Sequence, residues 1–388
     1  MSPRRIVHLV VDDKFIDAAI REFEAVAPGR HDYLVLGSGT SWRHLRSTRV
    51  QPLQPAQWSA RVRQPDVAAV VLHGLMPQHY ALLAEVPPGP TVVWLGWGYD
   101  YYGLLADAFP QGLLLPATAA LMSALQPRSP RPVDGMMRAS ELSVARPYAK
   151  PSAAQRAALR RVDIFSPVLD DEVALVRRHQ PWFTARHLPW NYLTLEDDLE
   201  VGPPNATPPG PNLLVGNSAT ATNNHLEAFE QVRRCVDLAG RQVVVPLSYG
   251  DPAYAREIVK AGRRLFGDAF VPLLEFLPRE RYIELLDSCG IVVMNHLRQQ
   301  ALGNVVIAGL RGARLFLNPA NPMTRWLHRQ GVPVDDIGNL TVEPLAPAQR
   351  RRQREAIVAF TCRAHRRAHT AALVATLLDS GPGQAKAA

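Results

Sequence analysis

Leu213-Leu214-Val215-Gly216-Asn217-Ser218 is the stretch from which the fold of the chain can be predicted. Its three apolar residues predict a short buried strand, and the small polar residues after them predict a turn. The pattern returns at Ile291-Val292-Val293-Met294-Asn295, which precedes further polar residues and an apolar, helix-like segment. Short apolar runs that alternate with helices are typical of parallel strands covered on both faces. An α/β domain is therefore predicted over 212–345.

The same alternation extends through the rest of the chain. Further strands are predicted at 6–11, 32–36, 67–72, 91–95, 163–166, 185–190, 243–246, 270–274 and 313–318. A second doubly wound domain is thus predicted over 1–200, with a stiff linker in the Pro- and Gly-rich run 201–211. A long Arg-rich helix is predicted over 346–380. The predicted architecture is two Rossmann-like domains that face a central cleft.

Length and composition fit this architecture. The chain has 388 residues, of which 47% are hydrophobic and 20% charged, as in globular proteins of two domains. A net charge of +8 favours an anionic partner. The three cysteines are far apart and form no metal-ligand pattern, which indicates a reducing compartment. Neither a signal peptide nor an apolar run of membrane-spanning length is recognisable, so a cytoplasmic protein is expected.

The segment 111–161 departs from the α/β pattern and is interpreted as an insert in the first domain. An apolar run over 113–122 precedes 128–161, which carries eight Lys or Arg residues against two acids. An apolar patch beside cations suits peripheral binding to an anionic membrane surface. A buried helix followed by a solvated basic loop explains the same residues equally well.

Polar residues crowd the strand ends of the second domain. Arg298 brings a cation, and a helix that starts near Gly303 offers free N–H groups and a favourable dipole to an anion. A diphosphate held without a metal ion is therefore predicted, although Gly216 also suits an ordinary strand-to-helix turn. The residues predicted to form this site are Gly216, Asn217, Ser218, Arg298, Gln299, Gln300, Gly303 and Asn304.

The first domain offers a second cluster, Trp97-Gly98-Tyr99-Asp100, directly after a predicted strand. Aromatic faces suit sugar rings, so Trp97 and Gly98 are predicted to bind an acceptor. Asp100 is the predicted general base, with His73 as its rival. Asp100 as a helix cap and His73 as a buried structural histidine are the alternatives. Adjacent acidic pairs such as Asp12-Asp13 point to opposite faces of a strand, so no metal or other cofactor is predicted.

At these residues the chain resembles the Fuc4NAc transferases of glycosyltransferase family 56. The matching pieces are Trp97–Asp100, His73-Gly74, 214–218, Asn224-His225, 243–246, Tyr249-Gly250, 274–276, Arg298-Gln299-Gln300 with Gly303, Leu317-Asn318 and Asn321-Pro322. The resemblance is densest over 210–335. Two similar domains, a linker and a long terminal helix also fit the GT-B architecture of many glycosyltransferases.

The resemblance implies transfer of 4-acetamido-4,6-dideoxy-D-galactose from a dTDP donor in the second domain. It adds Tyr249, Glu275 and Phe276 to the expected donor site. It also implies an undecaprenyl-diphosphate-linked glycan acceptor at the cytoplasmic face of the inner membrane, in the synthesis of a surface polysaccharide.

Three alternatives remain open at this point. The chain could use another nucleotide sugar or an acceptor that carries no lipid. It could be a nucleotide-sugar epimerase, since such enzymes also bind nucleotide sugars without metal. Nucleic-acid binding agrees with the net charge, but no recognised reader motif is present and the aromatic residues are not interleaved with the cations. No nucleic-acid partner is therefore expected.

Overall fold

The computed structural model describes residues 3–37, 39, 42–125, 149–199 and 209–379. The chain divides into two compact units. The first unit comprises Met1–Ala108, Lys150–Glu200 and Thr361–Ala388, and the second comprises Phe109–Ala149 and Val201–Phe360. Each is an α/β domain with its own sheet, as predicted.

The sheet of the first unit has seven strands in the order β3-β2-β1-β4-β5-β6-β7, and every described pairing is parallel. The strands are β1 Arg5–Val10, β2 His31–Leu36, β3 Val50–Leu53, β4 Val67–His73, β5 Thr91–Leu95, β6 Ile164–Ser166 and β7 Arg186–His187. β4 and β5 are buried along their whole length. Continuous burial explains why these strands are apolar at successive positions and not at alternate ones.

Helices cover both faces of this sheet. They are Ile16–Val26, Pro55–Val62, His79–Glu85, Ala153–Leu159, Asp171–His179 and Arg363–Asp379, with a 3₁₀ helix at Tyr102–Ala108 and a π turn at Leu195–Leu199. The helix Arg363–Asp379 contributes Leu373, Val374 and Leu377 to the core beside β1 and β4. Its Thr370 hydroxyl accepts a hydrogen bond of 3.0 Å from Trp190 Nε1. The helix Arg363–Asp379 is therefore part of the first unit's core.

The sheet of the second unit has six strands in the order β10-β9-β8-β11-β12-β13, again parallel throughout the described pairings. The strands are β8 Leu213–Val215, β9 Val243–Pro246, β10 Phe270–Leu273, β11 Ile291–Met294, β12 Arg314–Leu317 and β13 Asp335–Asp336. The helices are Pro116–Leu125, His225–Cys235, Pro252–Phe266, Arg279–Ser288, Leu302–Leu310, Pro322–Arg329 and Pro347–Thr361, with 3₁₀ turns at Ala221–Asn223, Gly267–Ala269 and Ile337–Asn339. β8 and β11 form the centre of the sheet.

This division differs in two places from the one expected from the sequence. The helix Pro116–Leu125 belongs to the second unit, where Thr118 bonds Glu227 through both its N–H (3.0 Å) and its hydroxyl (2.6 Å). Leu121 and Leu125 pack on the second unit's core. The C-terminal helix is interrupted at Cys362, and only its second part joins the first unit.

The basic residues of 126–148 and the linker residues 200–208 lie outside the described residues. Within the described ranges, no helix has both the length and the apolar composition needed to cross a bilayer.

Candidate functional site

The second unit brings its predicted site residues to one place because of its strand order. β8 is followed in the chain by β9 on one side of it, whereas β11 lies on the other side. In such sheets, the crevice between the loops that follow these two central strands is the usual ligand site. The loop after β8 starts with Gly216 and Asn217, and the loop after β11 contains His296 to Ala301. The two segments predicted from the sequence therefore meet at this point.

Asn217 joins the loops that follow three different strands. Its backbone N–H donates to Asn223 Oδ1 at 2.9 Å, and its Nδ2 donates to the Tyr249 hydroxyl at 2.8 Å. Its Oδ1 accepts a hydrogen bond of 3.0 Å from Gln300 Nε2. Asn217, Asn223, His296 and Gln300 are all buried, and we call these four residues the Asn217 network. Its members are uncharged amides and one imidazole, so they fix the loops without adding net charge.

Gln300 has its side-chain amide fully engaged within the protein. Besides Asn217, its Nε2 donates to Thr220 Oγ1 at 3.1 Å, and its Oε1 accepts from Thr222 Oγ1 at 2.7 Å. These three bonds tie the loop after β11 to the loop after β8. Gln300 therefore positions its neighbours, and its amide N–H groups already have acceptors.

His296 completes the network from β11. Its Nε2 lies 3.1 Å from Asn217 Oδ1 and 2.9 Å from Asn223 Oδ1. Both oxygens can only accept hydrogen bonds, so Nε2 carries the proton. Burial, with smaller contributions from Arg298 and His225, holds the pKa of His296 well below its ordinary value. The ring is therefore neutral and serves as a fixed donor.

Gly216 allows the backbone to pass close to two buried side chains. Its φ is +71°, and an added Cβ would lie 2.5 Å from His225 Nε2 and 2.8 Å from Asn223 Oδ1. Neither neighbour has room to move, because both are buried and bonded elsewhere. Glycine is thus required here by both conformation and space.

Gly216→Ala is expected to destabilise the second unit by about 3 kcal/mol, from left-handed strain plus displacement of Asn223. Gly240→Ala is the matched control, because Gly240 has nearly the same φ, +69°, but no atom within 4 Å of the added Cβ. That control should cost only about 1 kcal/mol. Thermal unfolding of both variants measures the difference. Equal losses in melting temperature would show that the close approach at Gly216 is unimportant.

The loop after β11 ends at a helix start that is open to an anion. Ala301 adopts φ +61° and precedes the helix Leu302–Leu310, in which Gly303 and Asn304 are half-buried. The N–H groups of a first helical turn have no intrahelical acceptor and carry partial positive charge. Arg298 lies on the same loop, where its Nη1 donates to Gln299 O at 2.7 Å and its carbonyl accepts from Asn321 Nδ2 at 2.8 Å.

An aromatic pair follows the neighbouring strands β9 and β10. The rings of Tyr249 and Phe276 are nearly parallel, at 9° with centroids 6.0 Å apart. Both are large apolar side chains left in solvent, with 46% and 71% of their surface exposed, and Glu275 beside them is exposed too. Because Tyr249 bonds Asn217, this pair is continuous with the Asn217 network. Flat exposed aromatic faces of this kind suit stacking against a planar ring.

The first unit places its predicted residues at the carboxyl ends of β4 and β5. The carboxylate of Asp100 accepts three hydrogen bonds, from Leu75 N (3.0 Å) and Trp94 Nε1 (2.9 Å) on Oδ2 and from Trp97 N (2.8 Å) on Oδ1. Burial raises the pKa of Asp100 to about 6, against the opposing effect of these donors. Asp100 therefore connects the loops after β4 and β5. Its pKa also lies close to neutral pH.

His73 lies deeper, in a chain of buried hydrogen bonds. Its Nε2 is 2.9 Å from His8 Nδ1, its Nδ1 is 3.1 Å from the Tyr192 hydroxyl, and His8 Nε2 is 3.0 Å from His31 Nδ1. Burial lowers the pKa of His73 to about 3. Both ring nitrogens are occupied and the side chain is inaccessible. These contacts agree with the alternative of a structural histidine.

Trp97 stands among other aromatic rings at this edge. Its ring centroid lies 5.9 Å from Phe15, 5.6 Å from Tyr192 and 6.3 Å from Tyr99, in edge-to-face geometry. The neighbouring Gly98 has φ +96°, a conformation that turns the chain between Trp97 and Asp100. Trp97, Gly98 and Asp100 are thus held in one short turn.

Sequence reasoning missed several parts of these sites. It did not assign roles to Asn223, Thr220, Thr222 or His296, which hold the Asn217 network together. The available signal was the run Thr220-Ala221-Thr222-Asn223-Asn224 between a strand and a helix, where neutral hydrogen-bonding side chains are concentrated. Among the residues that the structure describes, no three His, Cys, Asp or Glu side chains cluster closely enough to hold a metal ion.

Solved structures with the same architecture include enzymes that act on sugars. The chain is similar to sucrose-phosphate synthase from Thermosynechococcus elongatus, with a TM-score of 0.61 and 10% identity over 97% of this chain and 99% of that one. It is similar to the trehalose-6-phosphate synthase OtsA, with a TM-score of 0.59 and 10% identity over 97% and 100% of the two chains. It is also similar to HepE from Anabaena in complex with UDP-glucose, with a TM-score of 0.53 and 11% identity over 96% and 95%. At these identities the likeness establishes the fold, which is GT-B.

The sequence profile of one family matches residues 164–375, more than half of the chain. That family is described as 4-alpha-L-fucosyltransferase glycosyl transferase group 56. The match includes all of the second unit's sheet and most of the helix Arg363–Asp379 of the first unit. It agrees with the resemblance found in the strand-end motifs. The chain belongs to glycosyl transferase group 56 and is a glycosyltransferase with the GT-B fold.

Proposed function

We propose that this glycosyltransferase moves a deoxyamino sugar, of the 4-acetamido-4,6-dideoxy-D-galactose type, from a dTDP donor to a lipid-linked glycan. The observation that carries the donor half is the Asn217 network at the switch point of the second sheet. Its hydrogen bonds connect the loop of Tyr249, which stacks on Phe276, with the loop of Arg298. That second loop leads into the helix Leu302–Leu310. HepE, which shares the fold, has been solved with UDP-glucose, and this supports a nucleotide sugar as donor.

Each part of the second-unit site suits one part of such a donor. Tyr249 and Phe276 offer stacking faces for the base. The first turn of the helix Leu302–Leu310, with Gly303 and Asn304, offers N–H groups to the diphosphate. Arg298 adds the positive charge that stabilises the departing dTDP, without a metal ion in the proposed mechanism. Gln300 acts as a positioning residue through Asn217, and Gln299 contributes its backbone carbonyl to the placement of Arg298.

The first unit would supply the acceptor side. We retain Asp100 as the proposed general base, because Oδ1 carries a single hydrogen bond and a pKa of about 6 suits proton transfer near neutrality. In the step, the acceptor oxygen bonds the anomeric carbon, its proton passes to Asp100, and the bond from that carbon to the diphosphate breaks. Trp97 and Gly98 would flank the acceptor.

The lipid-linked acceptor rests on the family resemblance and on the charge of the chain. A net charge of +8 favours an anionic membrane surface, and we propose peripheral attachment at the cytoplasmic face of the inner membrane. The apolar residues of the helix Pro116–Leu125 are used in packing on the second unit. The attachment would therefore be electrostatic and should weaken as salt is added.

Calorimetry with dTDP, UDP and GDP tests the proposed donor. The wild type is expected to bind dTDP most tightly, and Arg298→Ala should weaken that affinity about 10- to 100-fold, the contribution of a hydrogen bond to a charged group. Arg233→Ala is the control, because Arg233 pairs with Glu230 on the exposed face of the helix His225–Cys235 in the same unit. Preference for UDP or GDP would overturn the choice of donor. Unchanged dTDP affinity in Arg298→Ala would remove Arg298 from the site.

A further inference from the structure

The first sheet has a switch point of its own, between β1 and β4. β1 leads to β2 on one side, while β4 and β5 continue on the other. The loop after β1 contains Asp12 and Asp13, and the loop after β4 begins with Gly74. By the rule that applies to the second unit, a ligand of the first unit should lie between these two loops. The side chains at this point therefore indicate what the ligand is.

Four described carboxylates lie near this edge, and three of them accept two or more hydrogen bonds from donors within the protein. Asp12 accepts hydrogen bonds from the N–H groups of residues 43, 44 and 45, and Asp17 accepts from those of 46 and 47. Asp100 accepts three more, as described above. Each oxygen of these three carboxylates therefore accepts at least one hydrogen bond within the protein.

Asp13 differs from its three neighbours. Its Oδ1 accepts one hydrogen bond, from Phe15 N at 3.0 Å, and no described residue donates to its Oδ2. Asp13 is half-buried, and its Oδ2 remains accessible to solvent. Burial raises the pKa of Asp13, against the effects of Phe15 N–H, Lys14 and His44. Asp13 is thus a half-buried carboxylate with one oxygen open.

Asp13 is linked to a group of aromatic rings through Phe15, whose backbone N–H donates to its Oδ1. Burial raises the pKa values of Tyr99 and Tyr192, and the negative charges of Asp100 and Asp13 act in the same direction. Phe15, two residues along the chain, contacts Trp97 and Tyr192 with centroids 5.9 Å from each. Tyr99 is 37% exposed. A carboxylate can accept hydrogen bonds from sugar hydroxyl groups, and an exposed aromatic face can pack against the apolar face of a sugar ring.

We propose that Asp13, with Trp97 and Tyr99, forms the saccharide subsite of the acceptor, and that Asp13 Oδ2 accepts a hydrogen bond from an acceptor hydroxyl. This inference rests on the proposed transferase function and adds a residue to its acceptor side. Asp13 binds the sugar in this scheme, and Asp100 remains the group that takes the proton.

Steady-state kinetics of Asp13→Asn test the subsite, with a synthetic acceptor in which a short alkyl chain replaces undecaprenyl. Asparagine keeps the size of the side chain but removes its charge. The acceptor KM is expected to rise about 10- to 100-fold, while the donor KM and the melting temperature stay the same. Asp107→Asn is the control, since Asp107 is an exposed carboxylate of the same unit that pairs with Lys150.

Equal acceptor KM values in Asp13→Asn and wild type would overturn the subsite. A wild type that transfers sugar from no dTDP donor would overturn the proposed function instead. Calorimetry of the same acceptor without donor would then decide the subsite alone: weaker binding to Asp13→Asn supports it, and equal binding refutes it. Should Asp13→Asn fail to fold, Tyr99→Ala at the exposed ring provides the second variant, with acceptor binding expected to weaken several-fold.

Discussion

Asp100→Ala is expected to lower the free energy of unfolding by about 3 kcal/mol, because it orphans three N–H donors at once. Trp94 Nε1 is the most costly of these, since the indole is fully buried. The other two belong to the backbone of Leu75 and Trp97, so the loops after β4 and β5 lose their common acceptor. Burial of the charge, which raises the pKa of Asp100 to about 6, already offsets part of what the three bonds contribute.

Thermal or urea unfolding at pH 7 measures this loss. Asp107→Ala is the matched control, because its ion pair with Lys150 is exposed and should contribute about 0–1 kcal/mol. Asp100→Asn retains one oxygen but turns an N–H₂ group towards at least one donor, so it should lie between the two. If Asp100→Ala is no less stable than Asp107→Ala, the loop-organising role of Asp100 is refuted. A drop in turnover of Asp100→Ala must be compared with this loss before it is assigned to chemistry.

A steep loss of stability between pH 7 and pH 5 is the second large effect expected. In the described part of the chain, six histidines are buried in the neutral form: His8, His31, His73, His79, His225 and His296. Burial lowers the pKa to about 4 for His31 and His79 and to about 3 for His73 and His225, and well below the ordinary value for His8 and His296. The ordinary value of about 6.5 applies to the unfolded chain.

The sign follows from which state binds the protons. Below pH 6.5 these histidines bind protons in the unfolded state but stay neutral in the folded state, so acidification favours unfolding. Each such histidine removes about 2 kcal/mol between pH 7 and pH 5. Asp100 acts in the opposite direction, because its raised pKa lets the folded state bind a proton at a higher pH than the unfolded state. It adds about 1 kcal/mol to the free energy of unfolding between pH 7 and pH 5. The histidines outnumber it, so the net effect is destabilising.

Melting temperatures measured from pH 7.5 to pH 4.5 provide the test. In His79→Gln the free energy of unfolding should fall less steeply as the pH is lowered. The variant lacks one neutral buried imidazole, so its unfolding takes up about one proton fewer. His44→Gln, at an exposed position, is the control and should follow the wild type. A melting temperature that stays constant down to pH 5 would contradict the assignment of these histidines as buried and neutral.

Much of this fold could be predicted because its central strands are buried on both faces. Continuous apolar runs such as those of β4, β5 and β11 leave a clear signal in the sequence. Two of the edge strands leave none: β3 contains Gln51 and Pro52, and β13 consists of Asp335 and Asp336. Those segments become strands only because a neighbour already offers hydrogen-bonding groups, which is tertiary information.

The sequence placed the candidate site residues at strand ends, and their contacts with one another could not be predicted. The polar residues after β8 and β11 could be marked, because strand ends in parallel sheets carry ligands. The contacts between these two groups of residues could not be predicted, because they depend on β11 lying next to β8 in the sheet. Asn217 and Gln300 are far apart in the chain and neutral, so no charge pattern links them. For the same reason Asp13 could not be separated from Asp12, although only Asp13 keeps an open oxygen.

The contribution of the helix Arg363–Asp379 to the first unit has a consequence for biosynthesis. The nascent chain presents β1 to β7 long before the ribosome releases Leu373, Val374 and Leu377, which complete the core beside β1 and β4. Until then Phe23 and Trp190 lack part of their cover, and chaperones have an apolar surface to protect. The strands of the second unit lie in the chain between β7 and that helix, so the second unit can fold before the core of the first unit is complete.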